Sequence, residues 1–142
     1  MADLPTTLML EVATPLGMAL SVQTDSVQVP SVAGELGVLP GHLPLLAALK
    51  PGVLSYRKDG QPVRRAVGAG YVEVNADRVR LIAEFCLERG QVDVEAAHRD
   101  KQAAEARLKA SKTAVADLEH QEAQRELDWA EARLLLAGGA GN

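Results

Sequence analysis

The chain has 142 residues, 47% of them hydrophobic and 24% charged, a balance that suits one folded domain with an appendage and neither a disordered tail nor a bundle of membrane spans. Fifteen Lys and Arg against 19 Asp and Glu give a formal net charge of -4, so nothing favours condensation on nucleic acid or an anionic lipid surface. Aromatics at 3% supply no stacking platform for bases, sugars or flavins, and the single cysteine, Cys86, cannot close an internal disulfide. The N-terminus lacks the basic start and apolar run of a secretory signal, and the richest apolar stretch, Leu43 to Leu49, is too short to span a membrane.

In chain order, the first ninety residues read as β. Period-two alternation puts Leu8, Leu10 and Val12 on one face, then Leu20 with Val22, Val27 with Val29, Val72 with Val74, and Val79 with Leu81. Turn chemistry separates such runs at Lys58-Asp59-Gly60 and at Asn75-Ala76-Asp77, both suited to hairpins with positive φ. Eight to ten short strands predict an antiparallel β-sandwich or flattened barrel over residues 1–90. Gly34 to Gly52 alternates poorly and reads as a loop followed by a strand, its path fixed by Gly34, Gly37, Pro40, Gly41 and Pro44.

Composition then changes. All seven prolines lie between Pro5 and Pro62, and no Gly or Pro occurs from Gln91 to Ala137. Because these residues cost a helix interior about 1 and 3 kcal/mol respectively, residues 91–137 read as helical. Asp93 is a candidate N-cap, and a first helix should run to about Ser111 with Ala97, Ala104 and Leu108 on its inner stripe. A second should run from about Thr113 to Ala137 with Ala116, Ala123, Leu127, Ala130 and Leu134 on one face. Only Ser111, Lys112 and Thr113 argue for a turn between them, which leaves a single continuous helix open as an alternative. Residues 138–142 read as a disordered tail.

Catalytic signals are missing: no phosphate-binding loop, GxGxxG, CxxC or HExxH occurs. His98 and His120 fall on charged helices and read as solvated, and Cys86 reads as a small buried hydrophobe. A sandwich carrying a detachable helical pair with a thin, alanine-rich interface is a binding or mechanical module. No enzyme activity, metal or cofactor is expected of it.

The run Gly34-Glu35-Leu36-Gly37-Val38-Leu39-Pro40-Gly41-His42-Leu43-Pro44-Leu45-Leu46, followed by Leu49-Lys50-Pro51-Gly52, resembles the hallmark of the epsilon subunit of bacterial F-type ATP synthases. The similarity continues through Gly68 to Val74, Glu88 to Ala97 and Glu126 to Leu134. It implies a noncatalytic rotor subunit at the foot of the central stalk, on the cytoplasmic face of the plasma membrane and attached to it only through the complex. The sandwich would grip the gamma subunit and rest on the c-ring. The helices would fold against the sandwich, or extend along gamma towards the alpha and beta subunits and restrain ATP hydrolysis.

Residue by residue, the resemblance places Glu35 and His42 at the c-ring interface, with Gly34, Gly37, Pro40 and Gly41 shaping that segment. The plainer alternative for His42 is a bond to its own loop backbone, and for Glu35 an ordinary solvated loop carboxylate. Leu127, Ala130 and Leu134 would pack the hairpin or meet gamma. The alternative is a regulator whose hairpin is held closed by bound ATP, as in members carrying an I/L-D-x-x-R-A motif. Here the stretch is Val92-Asp93-Val94-Glu95-Ala96-Ala97, with Ala96 at the arginine position and Trp129 at another. Glu88, Asp93 and Arg133 remain. Losing two charged donors leads to the expectation that ATP binds weakly or not at all.

Overall fold

The computed structural model describes residues 5–110 and 117–138. Ten strands precede two helices: β1 Leu8–Thr14, β2 Gly17–Thr24, β3 Val27–Ser31, β4 Gly34–Val38, β5 Leu45–Leu49, β6 Gly52–Lys58, β7 Gln61–Val67, β8 Gly70–Val74, β9 Arg78–Ala83 and β10 Cys86–Leu87. A single-turn helix, Arg89–Gln91, leads into α1, Val94–Ala110, and α2, Leu118–Gly138. The sandwich-then-hairpin architecture is the one the alternation and the change at Gly90 predict.

The strands follow the order β10-β7-β6-β3-β5-β8-β9-β1-β2, with β4 added on β3. β3 and β5 meet at one residue pair only, Ser31 with Leu49, and there the ribbon folds over to bring its two halves face to face. Alternation supplies the core between them: Leu8, Leu10 and Val12 on β1, Val27 and Val29 on β3, Val72 and Val74 on β8, and Val79 and Leu81 on β9 are all buried. At about 25 cal/mol per Å² of apolar surface, each such Val or Leu contributes roughly 1.5 to 3 kcal/mol.

Three local expectations are corrected. Pairing is not wholly antiparallel, since β1 runs parallel to β9, with Leu10 opposite Val79 and Val12 opposite Leu81. Alternation encodes which face is buried but not the direction of the neighbour. The Asp59-Gly60 turn has the expected positive φ at both residues (52° and 78°), whereas Asn75 and Asp77 stay at negative φ. The Asn75 side chain instead accepts from the Asp77 N–H at 3.3 Å, building the turn by side-chain mimicry of backbone. Finally, the stretch from Gly34 begins as a strand: β4 pairs with β3 from Ser31–Gly34 to Val27–Val38.

In the hairpin, the Asp93 carboxylate accepts from the Ala96 N–H at 3.0 Å, the cap foreseen for α1. The start of α2 moves to Leu118, with Asp117 accepting from the Glu119 N–H at 2.8 Å. Ser111, Lys112, Thr113 and Ala116, on which the expected turn and helix start rested, lie outside the described residues, as do 139–142 of the expected tail. Gly138 belongs to α2. Ala97 and Ala104 on α1 and Ala123 and Ala130 on α2 are buried, so the helices meet through methyl groups.

Cys86 packs half-buried against the core near Tyr56. Burial is the main cause raising both the Cys86 thiol and the Tyr56 phenol above their ordinary values, with Arg65 partly opposing it in each. Both groups therefore hold their protons more tightly folded than unfolded. The associated stability is complete below the unfolded-chain values and is lost as pH rises towards the folded ones. Thermal midpoints should fall from about pH 9 upward, and Cys86→Ala should flatten the first part of that fall. An unchanged slope in the variant would contradict the assignment.

Candidate functional site: a polar strand end and an aromatic hinge

Glu35 is exposed on β4, opposite Pro30 of β3, rather than on a loop. Proline donates no ladder bond, which suits this end of the pairing. The loop after β4 is fastened to the β8–β9 turn, where the Gly41 N–H donates to the Ala76 carbonyl at 2.7 Å, and it closes on itself through His42 N–H to the Leu39 carbonyl at 3.1 Å. Gly34 and Gly41 take φ of 121° and 88°, so glycine is required at both. Gly37 has ordinary φ and open space around it, and it shapes nothing that another residue could not. The half-buried His42 places Nδ1 2.6 Å from the Leu43 carbonyl, the loop-backbone bond expected as the plainer alternative for this residue. A hydrogen bond to a carbonyl puts a proton on Nδ1, and Nε2 is left for outward contacts.

The chain on either side of His42 carries exposed apolar side chains: Leu39, Leu43, Leu45 and Leu46. Scattered exposed leucines need no explanation, but four within eight residues, with one imidazole among them, form a small amphipathic surface on a braced backbone. Such a surface can dock against another protein without yielding.

Glu88, Asp93 and Arg133, the positions at which the resemblance expects nucleotide in other members, are each engaged within the chain. Glu88 caps the single turn, donating its N–H to Gln91 Oε1 at 2.9 Å, and its carboxylate lies 3.5 Å from Arg65. Asp93 caps α1. Arg133 is bonded to Asp100 at 2.9 Å and to the Trp129 carbonyl at 3.3 Å, its side chain only 11% exposed. No group of three or more metal-ligating side chains gathers among the described residues.

Sequence reasoning missed the second face of α2. Leu127 and Leu134, expected on the packing stripe, are half-buried, while Ala132 and Leu136 are fully buried against Ala66 of β7 with Leu87, Val92 and Trp129 around them. The helix is held between two layers, so it has two apolar faces where one was read. His120 is likewise not simply solvated: it turns towards the sandwich, where its Nδ1 is buried with no partner among the described residues. It lines an open groove of about 900 Å³ between α2 and the sheet, with Lys50, Tyr71, Ile82 and Asp128. His98 is exposed as expected.

Comparison with known proteins agrees with this geometry. Residues 7–89 match the family model described as ATP synthase, Delta/Epsilon chain, beta-sandwich domain. The chain is 40% identical over 134 residues to ATP synthase epsilon chain 2 of Syntrophotalea carbinolica, covering 94% of this chain and 96% of that one. It is 38% identical over 131 residues to the ATP synthase epsilon chain of Nitratidesulfovibrio vulgaris, covering 92% and 96%. Among solved structures, its fold is similar to a chain of the Euglena gracilis mitochondrial ATP synthase (OSCP/F1/c-ring), with a TM-score of 0.78, 19% identity and 96% and 84% coverage. A chain of the Tetrahymena thermophila mitochondrial ATP synthase central stalk/c-ring gives a TM-score of 0.63 at 14% identity, covering 96% and 99%. With a sandwich-domain match across more than half its length and relatives near 40% identity end to end, the chain belongs to the ATP synthase epsilon chain family.

Proposed function

We propose that this chain is a noncatalytic rotor subunit that couples the gamma subunit to the c-ring and restrains ATP hydrolysis when its helices leave the sandwich for gamma and the alpha and beta subunits. The carrying observation is the braced loop after β4, where His42 stands among exposed leucines on a backbone tied to the β8–β9 turn, with Glu35 exposed on the strand that leads into it. A surface that transmits torque must resist bending, and this one is hydrogen-bonded into the sandwich. The chain reaches the cytoplasmic face of the membrane through its complex; no described helix is long and apolar enough to cross one. The nucleotide-held alternative draws no support from the hinge, since Glu88, Asp93 and Arg133 are each engaged.

Two side chains test the assignment. Glu35→Ala with His42→Ala should lower coupled ion pumping by the reconstituted complex several-fold while leaving the isolated subunit within about 0.5 kcal/mol of its stability, the usual range for surface substitutions. Equal loss of thermal stability and of coupling would instead mark His42 as a loop-stabilising residue.

A further inference from the structure

We propose that Phe85, Trp129, Arg133 and Asp100 form a ligand-independent latch that holds the helical hairpin closed on the sandwich. Phe85, in the turn between β9 and β10, stacks on Trp129 of α2 with ring centroids 5.0 Å apart and planes 18° from parallel. The Arg133 guanidinium lies 5.2 Å from the Trp129 ring centroid, and its far end is fixed by Asp100 of α1 at 2.9 Å. The contacts thus run without a gap from sandwich to α2 to α1. A guanidinium held by a carboxylate keeps its place over the ring, so the stack and the ion pair support each other.

The seat for Phe85 is shaped by the backbone beneath it. Gly68 is buried and donates its N–H to the Phe85 carbonyl at 3.0 Å. A Cβ there would stand 3.0 Å from the Phe85 ring and 3.1 Å from its backbone nitrogen, so a side chain at this position would push the ring a few tenths of an ångström from where Trp129 meets it. Elsewhere the apolar attachment of the hairpin is light, beside a Lys50–Asp128 ion pair at 3.8 Å and a bond from Arg89 to the Leu136 carbonyl at 3.0 Å. α1 meets α2 through Ala97, Ala104, Ala123 and Ala130, and the sandwich side adds chiefly Ala66, Ala132 and Leu136. Trp129 is the largest side chain in these contacts and the only tryptophan of the chain. Removing it should therefore release the hairpin before the sandwich. The latch acts within the isolated chain, whatever receives the freed helices, so its failure would leave the rotor assignment standing.

Hydrogen exchange by mass spectrometry on the full chain tests this, with Trp129 emission as a second readout. In Trp129→Ala, amides of α2 should exchange at least about tenfold faster while the strands keep wild-type protection, and Trp129→Phe, which keeps a ring for Phe85, should recover much of the difference. Arg133→Gln should loosen α2 less and shift the Trp129 emission to longer wavelength. In the wild type, millimolar ATP should change neither exchange nor emission. Three results would each overturn the latch: α2 exchanging in Trp129→Ala as in the wild type, strand and helix amides rising in step, or ATP slowing wild-type α2 exchange as much as the Trp129 side chain does.

Discussion

Gly70→Ala is expected to destabilise the sandwich by about 3 kcal/mol or more, a large share of the roughly 5 to 15 kcal/mol that holds a domain folded. Gly70 opens β8 between Leu49 of β5 and Ala83 of β9. A methyl at this position would sit 1.8 Å from the Ile82 carbonyl oxygen and 2.8 Å from its carbon. Both are backbone atoms in a paired strand, so relief requires β8 to move off β9 and break the ladder that buries Val72 and Leu81. Gly90→Ala is the matched control: no atom lies within 4 Å of its added carbon, and its φ is ordinary. It should be neutral or stabilise by a few tenths of a kcal/mol through the unfolded chain, about 0.4 to 1 kcal/mol at most. Chemical denaturation of the two variants beside the wild type decides the matter, and equal midpoints for both would show the β8–β9 approach to be looser than described.

The second large effect is a truncation that spares the fold. A chain ending at Gln91 should keep cooperative unfolding and its β circular dichroism while losing the helical signal. Among the described residues, the core formed by β1, β3, β6, β8 and β9 draws no side chain from the helices, whereas the hairpin rests on the sandwich through the Phe85–Trp129 stack and the separate small cluster around Ala66 and Leu136. Removing the hairpin also uncovers Phe85 and Leu87, so the truncated chain should bind a hydrophobic dye more strongly than the full one. Loss of both cooperativity and β signal would mean that the helices are part of one folding unit.

How far these features were legible in the sequence depends on how local their causes are. Val72 with Val74 and Val79 with Leu81 announce a half-buried surface within four residues, and the structure buries all four. Asp59-Gly60 announces its turn because both residues tolerate positive φ. Strand β4 escaped because Gly34 and Gly37 look like turn chemistry, and only the presence of β3 alongside makes a ladder of them. The parallel partnership of β1 with β9 escaped because its residues come from opposite ends of the sandwich.

At the candidate site the same division holds. Glu35 and His42 stood out by motif, while the bond from His42 to Leu43 depends on a loop path that no spacing reveals. The two-faced burial of α2 was hidden because the stripe Ala123, Leu127, Ala130 and Leu134 already satisfies one helical period. The residues facing the sandwich, Trp129, Ala132 and Leu136, are interleaved with Glu131 and Arg133. Trp129 was noticed for the arginine it replaces. What it does instead is set by Phe85, which belongs to the other domain.

In the function proposed for this chain, a stiff sandwich transmits torque and the hairpin regulates. The direct test is ion pumping driven by ATP, followed for both protons and sodium, in membranes whose complex carries the chain ending at Gln91 in place of the full one. Pumping retained near the wild-type level, with ATP hydrolysis equal to or above wild type, is the predicted result. Pumping abolished while the truncated subunit remains folded and bound to the complex would contradict the claim that the sandwich alone couples gamma to the c-ring.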